Sequence, residues 1–212
     1  MKVSVIIAHP DTKSLNHTIA FRVVSVLERN SYTISFHDLY EENFDPILPM
    51  SELPNNAQLP EDIKMYCEEL CHADGMVIVH PNWWGQPPAI LKGWVDRIFR
   101  MNIAYRFIEI QEGVGKPIGL LKAKTAIVFN TSNTPPEQEE LYGDPLENLW
   151  GKCILDFCGI NNYFRKMFSA VITSTAMERK SWLNDVERIT DKYFPPLRKI
   201  DNTFASERKS LI

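Results

Sequence analysis

Chemistry in this 212-residue chain concentrates in three short stretches. The first reads Ala8-His9-Pro10-Asp11-Thr12-Lys13-Ser14-Leu15-Asn16 and leads into an amphipathic segment. Free N–H groups and the positive end of a helix dipole at such a place can receive a phosphate. Ser14 and Asn16 would add side-chain donors, and His9 could reach the same group; Ser14 serves equally well as a plain N-cap. The second stretch, His80-Pro81-Asn82-Trp83-Trp84-Gly85-Gln86-Pro87-Pro88, sets two tryptophans side by side between prolines. One large aromatic is easily buried, but two neighbours in a short loop are not. A flat aromatic ligand would give Trp84 a reason to be there. The third, Asn130-Thr131-Ser132-Asn133-Thr134-Pro135-Pro136, offers hydroxyl, amide and backbone N–H donors. Those suit an electron-rich heterocycle better than a metal.

Hydrophobic patterning predicts how these stretches meet. Residues 3–8, 32–37, 75–80, 125–129 and 164–172 read as strands, most of them apolar throughout. Residues 14–29, 61–72, 88–100, 145–158 and 176–193 carry apolar residues at helical spacing. Residues 38–60 hold four prolines and read as a long surface excursion, and residues 102–124 read as loop. The alternating order predicts an α/β fold, a three-layer, doubly wound, five-stranded parallel sheet of flavodoxin-like arrangement. Residues 1–200 then form a single domain, and residues 201–212 a weakly ordered, charged tail. In such a sheet ligands bind beyond the carboxyl ends of the strands, near the point where strand order reverses. The three stretches all follow strands, so they converge at that edge. A phosphate site, an aromatic wall and a polar loop together describe a flavin pocket.

Several other classes are excluded or disfavoured. A formal charge of −4 gives no electrostatic reason to expect nucleic acid or an anionic membrane surface. The first apolar run stops at His9-Pro10-Asp11, and no later one approaches the ~20 residues of a membrane span, so a cytoplasmic location without an integral membrane segment is expected. Only 9 glycines stand against 14 prolines, which argues against a glycine-rich nucleotide cradle. Gly113-Val114-Gly115 lacks the third glycine and the strand-to-helix context of a dinucleotide fingerprint. Cys67, Cys71, Cys153 and Cys158 form no zinc-site pairing with His72, and read as buried or half-buried free thiols; no metal site is expected. The run Glu137-Gln138-Glu139-Glu140 reads as a solvated acidic turn, and the polar face of residues 176–193, with Arg179 on it, as solvated too.

Beyond these physical readings, the chain resembles the NAD(P)H:quinone oxidoreductases. The resemblance rests on Ala8-His9-Pro10-Asp11 with Ser14-Leu15-Asn16, Asp38-Leu39-Tyr40 with Asn43-Phe44-Asp45-Pro46, and Phe157-Cys158-Gly159. Most specific are Pro81-Asn82-Trp83-Trp84 and the run from Pro88 to Phe99, Pro-Ala-Ile-Leu-Lys-Gly-Trp-Val-Asp-Arg-Ile-Phe. It spans roughly residues 1–195. It implies a flavodoxin-like fold, a tightly bound flavin (FAD or FMN), NADH or NADPH as donor, and two-electron reduction of quinones by ping-pong hydride transfer. It also implies a homodimer with the active site at the subunit interface.

Position by position, His9, Ser14, Leu15 and Asn16 match the flavin-phosphate segment. Pro81, Asn82, Trp83, Trp84 and Gly85 match the segment beside the isoalloxazine. Thr131, Ser132 and Asn133 match a Thr-Gly-Gly segment at the pyrimidine side, with Ser132 and Asn133 standing where the family has glycines. The next segment, which bears a catalytic Tyr and His in some members, is shorter here and reads Leu141-Tyr142-Gly143-Asp144. Tyr142 falls near that histidine and is the candidate proton donor or lid residue. Two other classes compete: a one-electron carrier like flavodoxin, and an ancillary regulatory subunit of a potassium-efflux system. The chain is longer than a carrier needs, and its two long insertions suit a dimer interface better.

Overall fold

The computed structural model describes residues 1–197; the expected tail lies outside them. Along the chain run β1 (Lys2–Ile7), α1 (Leu15–Arg29), β2 (Thr33–Asp38), α2 (Glu61–His72), β3 (Gly75–Pro81) and α3 (Ala89–Ile98). Then follow β4 (Tyr105–Gln111), β5 (Val114–Gly119), β6 (Thr125–Thr131), α4 (Pro136–Leu141), α5 (Pro145–Asn148), β7 (Asn162–Phe168) and α6 (Ala176–Tyr193).

Five strands pair in parallel in the order β2-β1-β3-β6-β7. The order reverses between β1 and β3, so a crevice opens beyond their carboxyl ends. Strand periodicity divides the core. Val3, Val5 and Ile7 pack with Ile19, Val23 and Leu27 of α1 and Val186 and Ile189 of α6. Ile6 and Ala8 face the other way, toward Ile63 and Leu70 of α2, Leu91 and Trp94 of α3, and Trp150. Both faces are therefore covered, as strands apolar throughout require.

Several boundaries differ from expectation for physical reasons. The helix expected at residues 145–158 starts as α5 and continues as a π-helical run, Leu149–Asp156. The strand expected to reach residue 172 stops at Phe168, because Ala170 turns left-handed (φ 54°) into a short 3₁₀ turn. Residues 102–124 are not simply loop: β4 and β5 form an antiparallel hairpin. Its turn uses Gly113 at φ 74°, and its base packs Tyr105 edge-on against Phe157 with ring centres 5.0 Å apart. The excursion after β2 is pinned by a buried ion pair, in which the Arg97 guanidinium donates to both Glu52 carboxylate oxygens (2.5 and 3.1 Å). All four thiols are free; Cys67 and Cys158 are buried, but Cys153 is exposed, against expectation, because it lies on the outer side of the π-helical run.

Candidate functional site

At the carboxyl edge of the sheet the β1–α1 loop, the β3–α3 loop and the β6–α4 loop enclose a cavity of about 430 Å³. Ten of the twelve binding residues expected from sequence line it: His9, Ser14, Leu15, Asn16, Pro81, Asn82, Trp83, Thr131, Ser132 and Asn133.

One end is the start of α1. Ser14 is its N-cap, with the hydroxyl accepting from His17 N–H. No acidic residue stands in the first turn of α1, although Asp11, which accepts from Lys13 N–H at 2.9 Å, lines the cavity just before it. Among the described residues, Leu15 and Asn16 N–H have no backbone acceptor. His9 Nδ1 lies 3.0 Å from Asp11 N–H and 3.2 Å from the Asp11 carbonyl, which anchors the ring to its own loop. Burial lowers the His9 pKa, so the ring is mainly neutral at pH 7. The Asn16 side chain is buried and exchanges hydrogen bonds with Thr131 (2.8 and 3.2 Å), tying α1 to β6. Behind Ser14, His17 bridges to Asp38 at 2.7 Å; the sheet register sets Asp38 beside Ile7.

The aromatic end is built by a two-residue hairpin turn. Trp83 and Gln86 exchange backbone hydrogen bonds of 3.0 Å, while Trp84 and Gly85 take left-handed φ of 59° and 72°. A Cβ on Gly85 would lie 2.7 Å from Pro145 Cγ. This turn separates the tryptophans. Trp83 lines the cavity, its ring centre 6.3 Å from that of His9, whereas Trp84 is fully exposed (102%). Trp84 and Gly85 instead line an adjoining cavity of about 420 Å³ with Asn82, Thr134, Glu139, Tyr142 and Pro145.

A family model described as flavodoxin-like fold matches residues 1–186. The chain belongs to this family. A Haemophilus influenzae relative, named an uncharacterized NAD(P)H oxidoreductase, is 32% identical over 84% of this chain and 89% of its own length. A Cavia porcellus relative, named NAD(P)H dehydrogenase [quinone] 1, is 26% identical over 94% of this chain and 82% of its own. A solved Streptococcus mutans structure superposes with a TM-score of 0.78 at 28% identity, over 91% of this chain and all of that one.

Within this flavodoxin-like frame, three features escaped the sequence. Glu139 does not lie in a solvated turn. It is 5% exposed and braces two loops, accepting from Ser132 Oγ (2.7 Å) and from Asn82 Nδ2 (3.0 and 3.1 Å). A six-residue helix in an acidic run leaves no periodicity from which to read an inward carboxylate. Arg179 is not simply on a solvated face either; it lines the cavity with Val171 and Ile172 and bonds Ser174 Oγ at 2.8 Å. The third feature lies under Pro81. His80 is fully buried, with Nδ1–H donating to the Pro81 carbonyl (2.7 Å). Its Nε2 accepts from Asn130 Nδ2 (2.7 Å) and Trp150 Nε1–H (2.9 Å). Among the described residues no helix is long and apolar enough to cross a membrane.

Proposed function

We propose that this protein is an NAD(P)H oxidoreductase working with bound flavin, FMN or FAD, and that it reduces quinones or similar flat electrophiles by two electrons in a ping-pong scheme. The observation carrying this reading is that one cavity collects phosphate-type donors at one end and a Pro-Trp wall with a polar loop at the other. When bound, the flavin supplies the redox chemistry itself, and the protein supplies binding and orientation.

The residues present fit such a group. The unpaired N–H groups of Leu15 and Asn16 and the His9 imidazole suit a phosphate ester, with Ser14 holding the helix start through His17 N–H and His17 Nδ1 (3.0 Å). Pro81 and Trp83 offer a flat apolar wall that excludes water. Buried Asn82 Oδ1 has no partner among the described residues, which suits a donor brought by a ligand. Ser132 and Asn133 extend the polar side of the same cavity.

Tyr142, exposed at the adjoining cavity, is assigned as proton donor or lid; its hydroxyl makes no hydrogen bond within the described residues. A homodimer completes the proposal, supported by Phe107, Ile110 and Val114, which stand exposed on the β4–β5 hairpin.

Purified protein is expected to be yellow, to release one flavin per chain, to bleach on adding NADH or NADPH anaerobically, and to regain colour with a quinone after the nucleotide is removed. Colourless protein that rebinds no flavin, or a flavin that stays oxidised with both nucleotides, would refute the reading.

A further inference from the structure

The adjoining cavity, walled by Trp84 and Tyr142, has an unusual charge balance. Among the described residues its lining holds one carboxylate, Glu139, and no lysine, arginine or histidine. Glu139 is buried and makes no ion pair among the described residues. Its three hydrogen bonds come from neutral donors, Ser132 and Asn82. The cations beyond it are already matched: Arg165 pairs with Asp144 and Glu147, and Lys166 with Asp185 at 2.5 Å. Glu137 and Glu140, exposed on the same short helix, add charge of the same sign. An uncompensated buried carboxylate is costly, so its position beside a ligand-sized cavity calls for a functional account.

We propose that Glu139 sets substrate class: the cavity takes flat acceptors that are uncharged or cationic and turns away anionic ones. This rests on the oxidoreductase reading and deepens it. A fixed charge facing a low-dielectric cavity acts on any charge entering it, and rejection of one class gives selectivity without added affinity for another. Asn82, which donates to Glu139, lines both cavities, so the charged wall adjoins the proposed flavin site.

The test is a charge series on one ring system: a naphthoquinone, its sulfonate and its trimethylammonium derivative, assayed with holoenzyme for kcat/KM. The sulfonate is expected to be about tenfold poorer than the neutral quinone, as for one charge pair roughly 10 Å apart at an effective dielectric near 20. The cationic derivative is expected to equal or exceed the neutral one. Glu139→Gln should bring the three within about twofold of one another. Equal kcat/KM across the series in the wild type, or an unchanged ratio in Glu139→Gln, overturns the proposal.

If the variant does not fold, the wild-type series decides: kcat/KM falling in the order cationic or neutral, then sulfonate, is the result expected, and a sulfonate as good as the neutral quinone overturns the proposal. If nothing turns over, the oxidoreductase reading fails. Charge selection is then read separately, from quenching of tryptophan fluorescence by the same three compounds, where equal dissociation constants would overturn it.

Discussion

His80 gives the most discriminating prediction about what holds the site together. It sits at 0% exposure at the end of β3, next to the Pro81–Trp83 wall, donating to the Pro81 carbonyl and accepting from Asn130 and Trp150. Asn130 is itself held through its Oδ1 by Arg165 at 3.0 Å. Burial pushes the His80 pKa down to about 4, and the Arg165 charge pushes the same way, against the Pro81 carbonyl. The ordinary value is 6.5, so the unfolded chain binds a proton that the folded chain refuses. Stability present above about 6.5 is therefore lost as pH falls toward 4. Linkage for this one group gives a loss of about 2 kcal/mol between pH 7 and pH 5.

His80→Gln keeps a donor and an acceptor but cannot titrate. His80→Leu also removes the acceptor and strands two buried N–H donors, at a cost of about 2–5 kcal/mol. Urea unfolding at pH 7 and pH 5 measures both effects. Relative to wild type, each variant should lose about 2 kcal/mol less on acidification, with Leu starting from lower stability. If the glutamine variant acidifies in parallel with wild type, His80 is not neutral in the folded state and the account of the network is wrong. Other titrating groups cancel in the comparison. Among them is His37, whose pKa burial lowers but whose hydrogen bonds to Glu42 and Glu69 raise overall. It therefore contributes stability below its ordinary value that is lost as pH rises through its folded one.

Further predictions concern the scaffold and the cofactor end. Glu52→Gln removes the carboxylate that Arg97 grips with two hydrogen bonds and leaves it only the looser ion pair with Asp45 at 3.8 Å, so it should cost about 3 kcal/mol by urea unfolding; a loss below 1 kcal/mol would mean that the excursion is held otherwise. Gly93→Ala puts a Cβ 2.2 Å from the Pro46 carbonyl oxygen on the same excursion, and a drop in stability of about 3 kcal/mol or more is expected from thermal melts. Ser14→Ala removes the N-cap of α1 and loosens the helix start at the proposed phosphate end, so it should lower stability by about 1 kcal/mol and weaken FMN binding more than riboflavin binding, as titrations of flavin fluorescence will tell.

What the sequence made legible follows from distance along the chain. Strands that are apolar throughout, separated by amphipathic helices, allow few topologies, and once the sheet is parallel the loops after β1, β3 and β6 must meet at one edge. That placed His9, Ser14, Pro81, Trp83 and Thr131 together before any coordinate. Interactions decided across the sheet were hidden. The Arg97–Glu52 pair spans 45 residues and His80–Trp150 spans 70, and no local periodicity announces either. Asp38 was visible only as part of a motif; its service to His17 needs the β1–β2 register. The β4–β5 hairpin escaped because its exposed strand residues mix charge with apolar side chains, and neither strand buries a face continuously.

Proline, abundant where glycine is scarce, has a structural role in this site. Pro88 and Pro135 occupy the N-caps of α3 and α4, and Pro136 and Pro145 open the first turns of α4 and α5. Each ends a loop by fixing φ near the helical value and withholds an N–H that a helix start would leave unpaired. The consequence is chemical as well as steric. Loops so braced have few backbone donors to offer, and the β1–α1 loop, whose single proline lies four residues before its N-cap, supplies the unpaired N–H groups. The other two loops must then work through side chains: Asn82, Trp83, Ser132 and Asn133, with Glu139 fixing two of them. A cradle of side chains can be altered one group at a time, so substitutions there should grade affinity and selectivity, whereas a cradle of glycine backbone fails as a unit.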